Sequence, residues 1–534
     1  MKIRTREYAG RAVETDSDGF LLDSSQWTPE IGEAIAREVG IWPLTEMHWS
    51  VLSFCREEAA REGQSPGLQR IAGNSGVARK TLNLLFPNGG SELAARIAGL
   101  RKPQESAHAR KGRKETMKTA IKGLVAALVL GLLPAGAFAT DGYFANGYGT
   151  PCKALAGACV ALHLSAMSPA INPAAMAFMG KRYDLGLEYF NPNRDYSVVG
   201  SPSGYPGTFG LAPGTVTSDS RGFFIPSLSG SWKSGENGTL GLAIYGNGGM
   251  NTDYNAGTFG NVRTGVDLAQ LFVAPTYAIK LGRGQAVGLT GLIAYQRFKA
   301  EGLQAFAPFS SDPEHLTNNG YDSSWGYGGR FGYLGEFSPY FSVGASYQTK
   351  LKMGKLKKYA GLFAEGGGFD VPATWTAGIA VRPVFPLTVT ADVEQIFYSQ
   401  VKSIGNEMMP NLMQARLGDT NGAGFCWHDT TTYKFGLQYA ASQEWTLRAG
   451  YSHGNQPIDG SEALFNILAP GVIENHVAIG IGRLLPTGKE INLTVVRAFS
   501  KSVTGPNVLE APGQQQIRLK MDQWEYEIGY SFGF

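Results

Sequence analysis

From Asp184 to the end of the chain, apolar and polar residues alternate in short runs separated by turns. Leu185/Leu187/Tyr189, Leu240/Leu242/Ile244 and Val477/Ile479/Ile481 are examples. A period of two gives an extended chain one apolar face and one polar or small face. About fourteen such segments are predicted, near 184–198, 221–233, 238–248, 265–281, 285–299, 325–337, 340–354, 371–382, 386–400, 431–441, 444–455, 474–484, 489–500 and 516–534. They are long, and many carry Tyr, Phe or Trp near their ends. A soluble sandwich or barrel would alternate as well; with the export signal and terminal stripe described below, the pattern predicts an all-β transmembrane barrel of about 14 antiparallel strands, ringed by aromatic girdles.

The first hundred residues follow a different period and predict a small, mainly helical domain. Thr28-Pro29 is an N-cap followed by Pro at the first helical position, opening a helix to about Val39. Leu44-Thr45 opens a second and Ser65-Pro66 a third. The run Val13–Leu21 suits a turn with short flanking strands.

Between the two parts lies an apolar stretch with its own logic. Lys118 and Lys122 form a basic start, Leu124 to Leu133 is uncharged and apolar, Pro134 interrupts, and Ala137-Phe138-Ala139 is a small-x-small cleavage site. These are the parts of a secretory signal peptide, in order. The run is short of the roughly 20 residues a membrane helix needs. Either Met117 starts an exported protein, or residues 1–116 are fused ahead of an internal signal. In the fusion, the first module stays in the cytoplasm and cleavage precedes Thr140. With this compartment, the stripe Trp524, Tyr526, Ile528, Tyr530, Phe532 and Phe534 resembles the membrane-insertion signal at the end of bacterial outer-membrane barrels. The organisation predicted is 1–106 helical domain, 107–116 basic linker, 117–139 signal, 140–182 plug and 183–534 barrel.

Composition sharpens the division. One of 23 Tyr lies before residue 140, and 56 of 71 Gly lie after 139. A net charge of +3 gives no field for nucleic acid. Four cysteines in 534 residues exclude a disulfide scaffold. Cys152 and Cys159 stand seven apart in an exported segment. On a regular helix they would be about 10 Å apart, so a disulfide requires a bend between them. His428 has no second ligand beside Cys426, so no metal or other cofactor is expected. No Ser/His constellation suggests an enzyme.

Residues 140–182 are rich in small residues and broken by Pro169 and Pro173, as a plug inside a barrel would be. Asn146-Gly147-Tyr148-Gly149, Ala156-Gly157-Ala158, Asn172-Pro173-Ala174 with Met176 and Phe178, Asp184-Leu185-Gly186 and Asn191-Pro192 resemble the FadL-type long-chain fatty acid transporters and their TodX-type hydrocarbon relatives. The resemblance implies a lumenal hatch and passive diffusion of hydrophobic molecules. It also implies capture at an extracellular apolar groove and an exit opened by hatch movement or a wall kink. Asn172, Pro173 and Ala174 are then hatch or gating residues, and Asn172-Pro173 is also a helix start in its own right. Apolar residues of the long connections 301–324 and 401–430 are candidate capture surfaces: Phe306, Phe309, Met408, Met409 and Leu412. Flexible Met suits varied alkyl chains.

In the first module, Asp18-Gly19-Phe20-Leu21, Trp27, Leu44-Thr45, His48-Trp49, Leu84-Leu85-Phe86-Pro87 and Ile97-Ala98-Gly99-Leu100 resemble the DsrC/TusE sulfur-relay family. The resemblance places that family's reactive cysteines at Ser106 and Ala95, neither of which is a thiol. Cys55 falls on an apolar helix face. Sulfur transfer needs a thiolate, so a binding or regulatory role is expected instead.

The leading expectation is an outer-membrane channel of a Gram-negative bacterium for long-chain fatty acids or other hydrophobic compounds. Its partners are those small molecules, outer-membrane lipid and the barrel-assembly machinery. The alternatives are a sulfur-metabolism binding protein fused to a barrel, and a general porin.

Overall fold

The computed structural model describes residues 4–103, except 17, 42, 78–80, 83–84 and 87–89, and residues 141–533, except 283 and 385. The signal segment, the basic linker, Ser106, Leu84, Pro87 and Phe534 lie outside the described residues. The chain forms two units.

The first unit opens with a hairpin, Arg4–Tyr8 against Arg11–Thr15, and the turn expected within 13–21 follows it, with Thr15 bridging Leu21 and Leu22 N donating to the Glu14 carbonyl. Helices α1 (Pro29–Glu38), α2 (Glu46–Glu62), α3 (Leu68–Asn74) and α4 (Gly90–Ile97) follow. Thr28 caps α1 by accepting from Ile31 N, and Thr45 and His48 form a reciprocal capping box on α2. The third helix starts after Gly67 rather than Pro66, because the Ser65 hydroxyl donates to the Arg101 carbonyl instead. Ile31, Ile35, Val51, Leu52, Cys55, Phe86 and Ala94 make the core.

The second unit is a closed antiparallel barrel of fourteen strands. They are β1 (Arg182–Val199), β2 (Phe223–Ser234), β3 (Gly238–Tyr254), β4 (Thr264–Gly282), β5 (Gln285–Glu301), β6 (Asp322–Ser338) and β7 (Phe341–Gln348). The ring continues with β8 (Thr374–Val384), β9 (Leu387–Ile396), β10 (Thr430–Ala440), β11 (Trp445–Gly454), β12 (Asn475–Leu484), β13 (Glu490–Pro506) and β14 (Gln516–Gly533). Each overlaps one predicted segment. Strand β14 closes on β1 in continuous register from Gln516↔Val199 to Gly533↔Arg182.

The alternation decides which face is which. On β14, Gln523, Glu525 and Glu527 are buried in the lumen, while Trp524, Tyr526 and Ile528 are exposed on the outer wall. Closure leaves no unpaired edge, the condition for strands to cross lipid. At one end the strands join through tight connections such as 235–237 and 339–340; at the other the connections are long, including 302–321, 349–373, 397–429 and 455–474.

One place in the wall is irregular. The β3–β4 register shifts between Gly246 and Gly248. The β2–β3 ladder runs only from Leu228↔Ile244 to Ser234↔Gly238, so β3 leaves β2 above Ile244. This bulge bends the strand, as an extra residue in a ladder does.

Candidate functional site: a plugged lumen beneath an apolar roof

Residues 141–181 lie inside the barrel and are bonded around its wall. Thr150 donates to Glu527 on β14 (2.7 Å), and Asn146 Nδ2 to Ser452 on β11 (3.2 Å). Val160 N donates to Asp392 on β9 (2.8 Å), and Ala166 N to Asp184 on β1 (2.5 Å). Phe144 also forms a bridge with Gly248 at the wall bulge.

Two lysines tie the same segment to the wall in opposite senses. Lys153 of the plug faces Glu188 (2.5 Å), Glu525 (3.3 Å) and Glu527 (3.6 Å) of β1 and β14. Burial works against the Lys153 ammonium, but the three carboxylates outweigh it and hold its pKa above the ordinary lysine value. Lys434 of β10 faces Glu394 (2.5 Å) and Asp141 of the plug (3.3 Å), and donates to the Asn146 carbonyl (3.0 Å). All of these groups are buried or nearly so. Truncating either lysine would leave carboxylates uncompensated in a medium that penalises them.

The Asn172-Pro173-Ala174 turn packs tightly against the wall. Asn172 caps a 3₁₀ turn, Pro173–Phe178, by accepting from Ala174 N. Its Nδ2 donates to the carbonyls of Val160 in the plug and Tyr333 on β6, both at 2.8 Å. One side chain thus joins two plug segments and the wall. The wall makes room with glycine: a Cβ at Gly332 would lie 2.1 Å from Asn172 Oδ1, and one at Gly288 would lie 2.4 Å from the Pro173 carbonyl carbon.

Above the plug, the long connections fold inward. Phe306, Met408 and Leu412 are buried, and Phe309 and Met409 pack partly buried against the same cluster. These candidate capture residues thus lie within the apolar interior, whereas their neighbour Met413 is 57% exposed. The cause is a continuous apolar interior. Phe306 meets Phe465 and Phe259 at 5.1 Å each, and Glu462 accepts from Met408 N. Val266, Phe298, Leu303, Phe306, Phe363 and Phe465 help line a cavity of about 40 Å³ there. A second cavity of about 20 Å³ lies between plug and bulge, against Tyr148, Lys153, Ile225, Tyr245 and Gly246.

Cys152 and Cys159 form a disulfide with Cα atoms 5.7 Å apart. The required bend is at Ala156 and Gly157, both with positive φ. In the terminal stripe, Trp524, Tyr526 and Ile528 face outward and Phe532 stacks on Tyr183.

The ion clusters were not read from the sequence, because their members lie far apart along the chain. The available signal was Glu525 and Glu527 on the inward face of an otherwise apolar membrane strand, where charge is expensive and marks function or structure.

This architecture of fourteen strands around a bonded N-terminal plug agrees with comparison to known proteins. Residues 126–504 match the family model described as outer membrane protein transport protein (OMPP1/FadL/TodX). The chain belongs to this family. A Pseudomonas aeruginosa FadL homologue superposes with TM-score 0.57 at 16% identity, covering 74% of this chain and 100% of that one. The Pseudomonas putida toluene transporter TodX superposes with TM-score 0.53 at 18% identity, covering 73% and 99%. At these identities the likeness is one of fold. The FadL/TodX-type barrel is thus an outer-membrane barrel of the Gram-negative kind.

The first module also has relatives. Residues 7–106 match the model described as DsrC like protein. Sulfurtransferase TusE of Pectobacterium atrosepticum is 35% identical over 108 residues, 18% of this chain and 94% of its own length. The dissimilatory-type sulfite reductase subunit gamma of Nitratidesulfovibrio vulgaris is 33% identical over 96 residues, 18% of this chain and 91% of its own. Ala95 sits in the core of this unit on α4, and Cys55 is fully buried on α2.

Proposed function

We propose that the barrel is a hatch-closed channel that takes up long-chain fatty acids or other hydrophobic compounds passively across the outer membrane. The observation that carries this reading is the stacking of an apolar, loop-built interior on a plug tied to the wall by buried ion pairs. An apolar ligand gains about 0.8 kcal/mol per CH₂ on leaving water for such an interior. Its onward route is blocked by residues 141–181, so passage requires the hatch to shift. The bulge at Gly246/Gly248, beside the lower cavity, is the place where the wall ladder is already interrupted and an exit costs least. A porin for polar solutes fits poorly with a lumen filled this way.

Residues 117–139 direct export, and cleavage after Ala139 leaves 140–182 as hatch and 183–534 as barrel. The chain reaches the membrane through the barrel-assembly machinery, aided by the terminal aromatic stripe, and sits in outer-membrane lipid. The N-terminal module remains in the cytoplasm as a binding or regulatory element. Alanine and serine at the two sulfur-carrier positions, Ala95 and Ser106, support this over sulfur transfer.

The test is transport by purified protein in liposomes. Labelled oleate or toluene should enter faster than into empty vesicles, while sugars should not produce swelling. Sugar permeation without hydrophobic uptake would make the protein a porin.

A further inference from the structure

The outer wall carries an apolar groove that passage through the lumen does not use. It has a volume of about 580 Å³ and is lined by residues of β4 to β8. Its upper edge is a row of bulky side chains, Leu289, Phe331, Tyr347 and Trp375, paired in that order from β5 to β8. In the row beneath, Ala345 and Ala377 stand opposite each other on β7 and β8. The step from large to small side chains makes the hollow. Three strand spacings, about 14 Å, separate the ends of the upper row, which is wider than one alkyl chain. Phe337 and Tyr327 on β6 are both exposed and ten residues apart, about 33 Å along a tilted strand, so they belong to opposite aromatic girdles. Phe331 lies between them. Tyr327 is the one nearer the long connections, which mark the extracellular side.

At the level of Tyr327 and above it the wall turns cationic. The connection 349–373 carries Lys350, Lys352, Lys355, Lys357 and Lys358, against two carboxylates, Glu365 and Asp370. Leu351, Met353 and Leu356 point into the core, and the lysines between and after them are exposed. The segment climbs the outer end of β6: Lys352 pairs with Tyr327, Gly354 N donates to the Trp325 carbonyl (2.8 Å), and Lys358 N donates to Asp322 (2.8 Å). Lys350 and Lys355 face Asp370 and Glu365 at 3.6 Å each, and Lys358 Nζ donates to the Tyr321 carbonyl. Lys352 and Lys357 have no ion pair or hydrogen bond among the described residues. On the outward column of β5, Arg297 and Lys299 stand at the same end, beside Asp267 and Glu301. From Tyr327 down to Phe331 is four residues, about 13 Å of strand, within the reach of an acyl chain. Lysines at a membrane surface attract anionic head groups.

We propose that this band of the outer wall is a binding site for lipid A, the phosphorylated and multiply acylated glycolipid of the outer leaflet. Lys352 and Lys357 receive its phosphates, and its acyl chains descend past Tyr327 into the groove beneath Phe331 and Tyr347. The order of cation, aromatic and apolar surfaces down the wall is the order of phosphate, sugar and acyl chain in the lipid. A hollow wider than one chain suits a lipid with several, and spaced lysines suit more than one phosphate. The site requires the barrel to sit in the outer membrane and is independent of what the lumen carries.

The experiment titrates the full chain, in a neutral detergent, with lipid A, with the same lipid A stripped of its phosphates, and with phosphatidylglycerol, and reads bound lipid by native mass spectrometry. Wild-type protein should hold lipid A about tenfold more tightly than either of the others, since hydrogen bonds to charged groups are worth about that much. The Lys352→Gln, Lys357→Gln double variant should lose most of this preference and bind the stripped lipid as before. Ala345→Leu, which fills the hollow, should weaken both forms of lipid A and leave the phosphate preference in place. Migration on unheated gels shows that each variant barrel is folded. Equal wild-type binding of lipid A with and without phosphates overturns the proposal, whether or not the variants fold. Tighter binding of phosphatidylglycerol than of lipid A also overturns it, by assigning the band to a glycerophospholipid. So does unchanged lipid A binding in a folded double variant or in folded Ala345→Leu protein.

Discussion

Lys153 Nζ of the plug lies 2.5 Å from Glu188 Oε2 of the first barrel strand, inside the lumen, with Glu525 and Glu527 closing the cluster. The lysine is 7% exposed and Glu188 6%, so solvent screens the pair little. Lys153→Met leaves buried carboxylates without their cation, a loss of about 3–5 kcal/mol. Hydrogen exchange should accelerate in residues 141–160 while the strands stay protected. Lys153→Arg should restore most of the protection. Unchanged exchange in Lys153→Met would show that the cluster does not hold the hatch.

Asn172 and Gly332 test the hatch from two sides. The Asn172→Ala, Pro173→Ala double variant removes the cap, worth about 1 kcal/mol, and both bonds from Nδ2. Gly332→Val leaves the motif intact but drives a side chain into Asn172 Oδ1. Both should reduce uptake while the barrel keeps its folded mobility on unheated gels. Wild-type transport by the double variant contradicts the gating role of Asn172-Pro173-Ala174.

Thiol chemistry gives a pH prediction in the first module. Burial pushes the Cys55 thiol from about 9 up to about 12. The folded state therefore keeps a proton that the unfolded chain loses. The resulting stabilisation is fully present below pH 9 and is lost as pH rises toward 12. Cys426 is pushed up to about 12 as well, by burial first and then by Glu462, Glu407 and Asp459. At pH 8 the native chain should react with no thiol reagent on the minute scale, and two thiols should appear on unfolding without reductant. Rapid native reaction at Cys55 would reopen a sulfur-carrier role.

The strands were legible because lipid outside and a filled lumen inside impose the period of two on every one of them; β14, with Trp524 and Tyr526 out and Glu525 and Glu527 in, is the plainest case. The caps at Thr28, Thr45 and Asn172 were legible because capping is local. The burial of Phe306, Met408 and Leu412 was not, since loop composition cannot say which other connections, such as those carrying Phe465 and Phe259 against Phe306, will cover them. Lys153 and Lys434 escaped notice for the same reason: their partners are brought close only by barrel closure.

The most direct test of the central claim is uptake of labelled oleate and toluene by Gram-negative cells that lack their own hydrophobic channel and express this chain. Wild-type protein should raise uptake of at least one of them, and the Asn172→Ala, Pro173→Ala variant, present at equal level in the outer membrane, should return it to the background rate. Uptake that is no faster than in cells without the chain, or that is indifferent to the hatch variant, would contradict a hatch-closed channel for hydrophobic molecules.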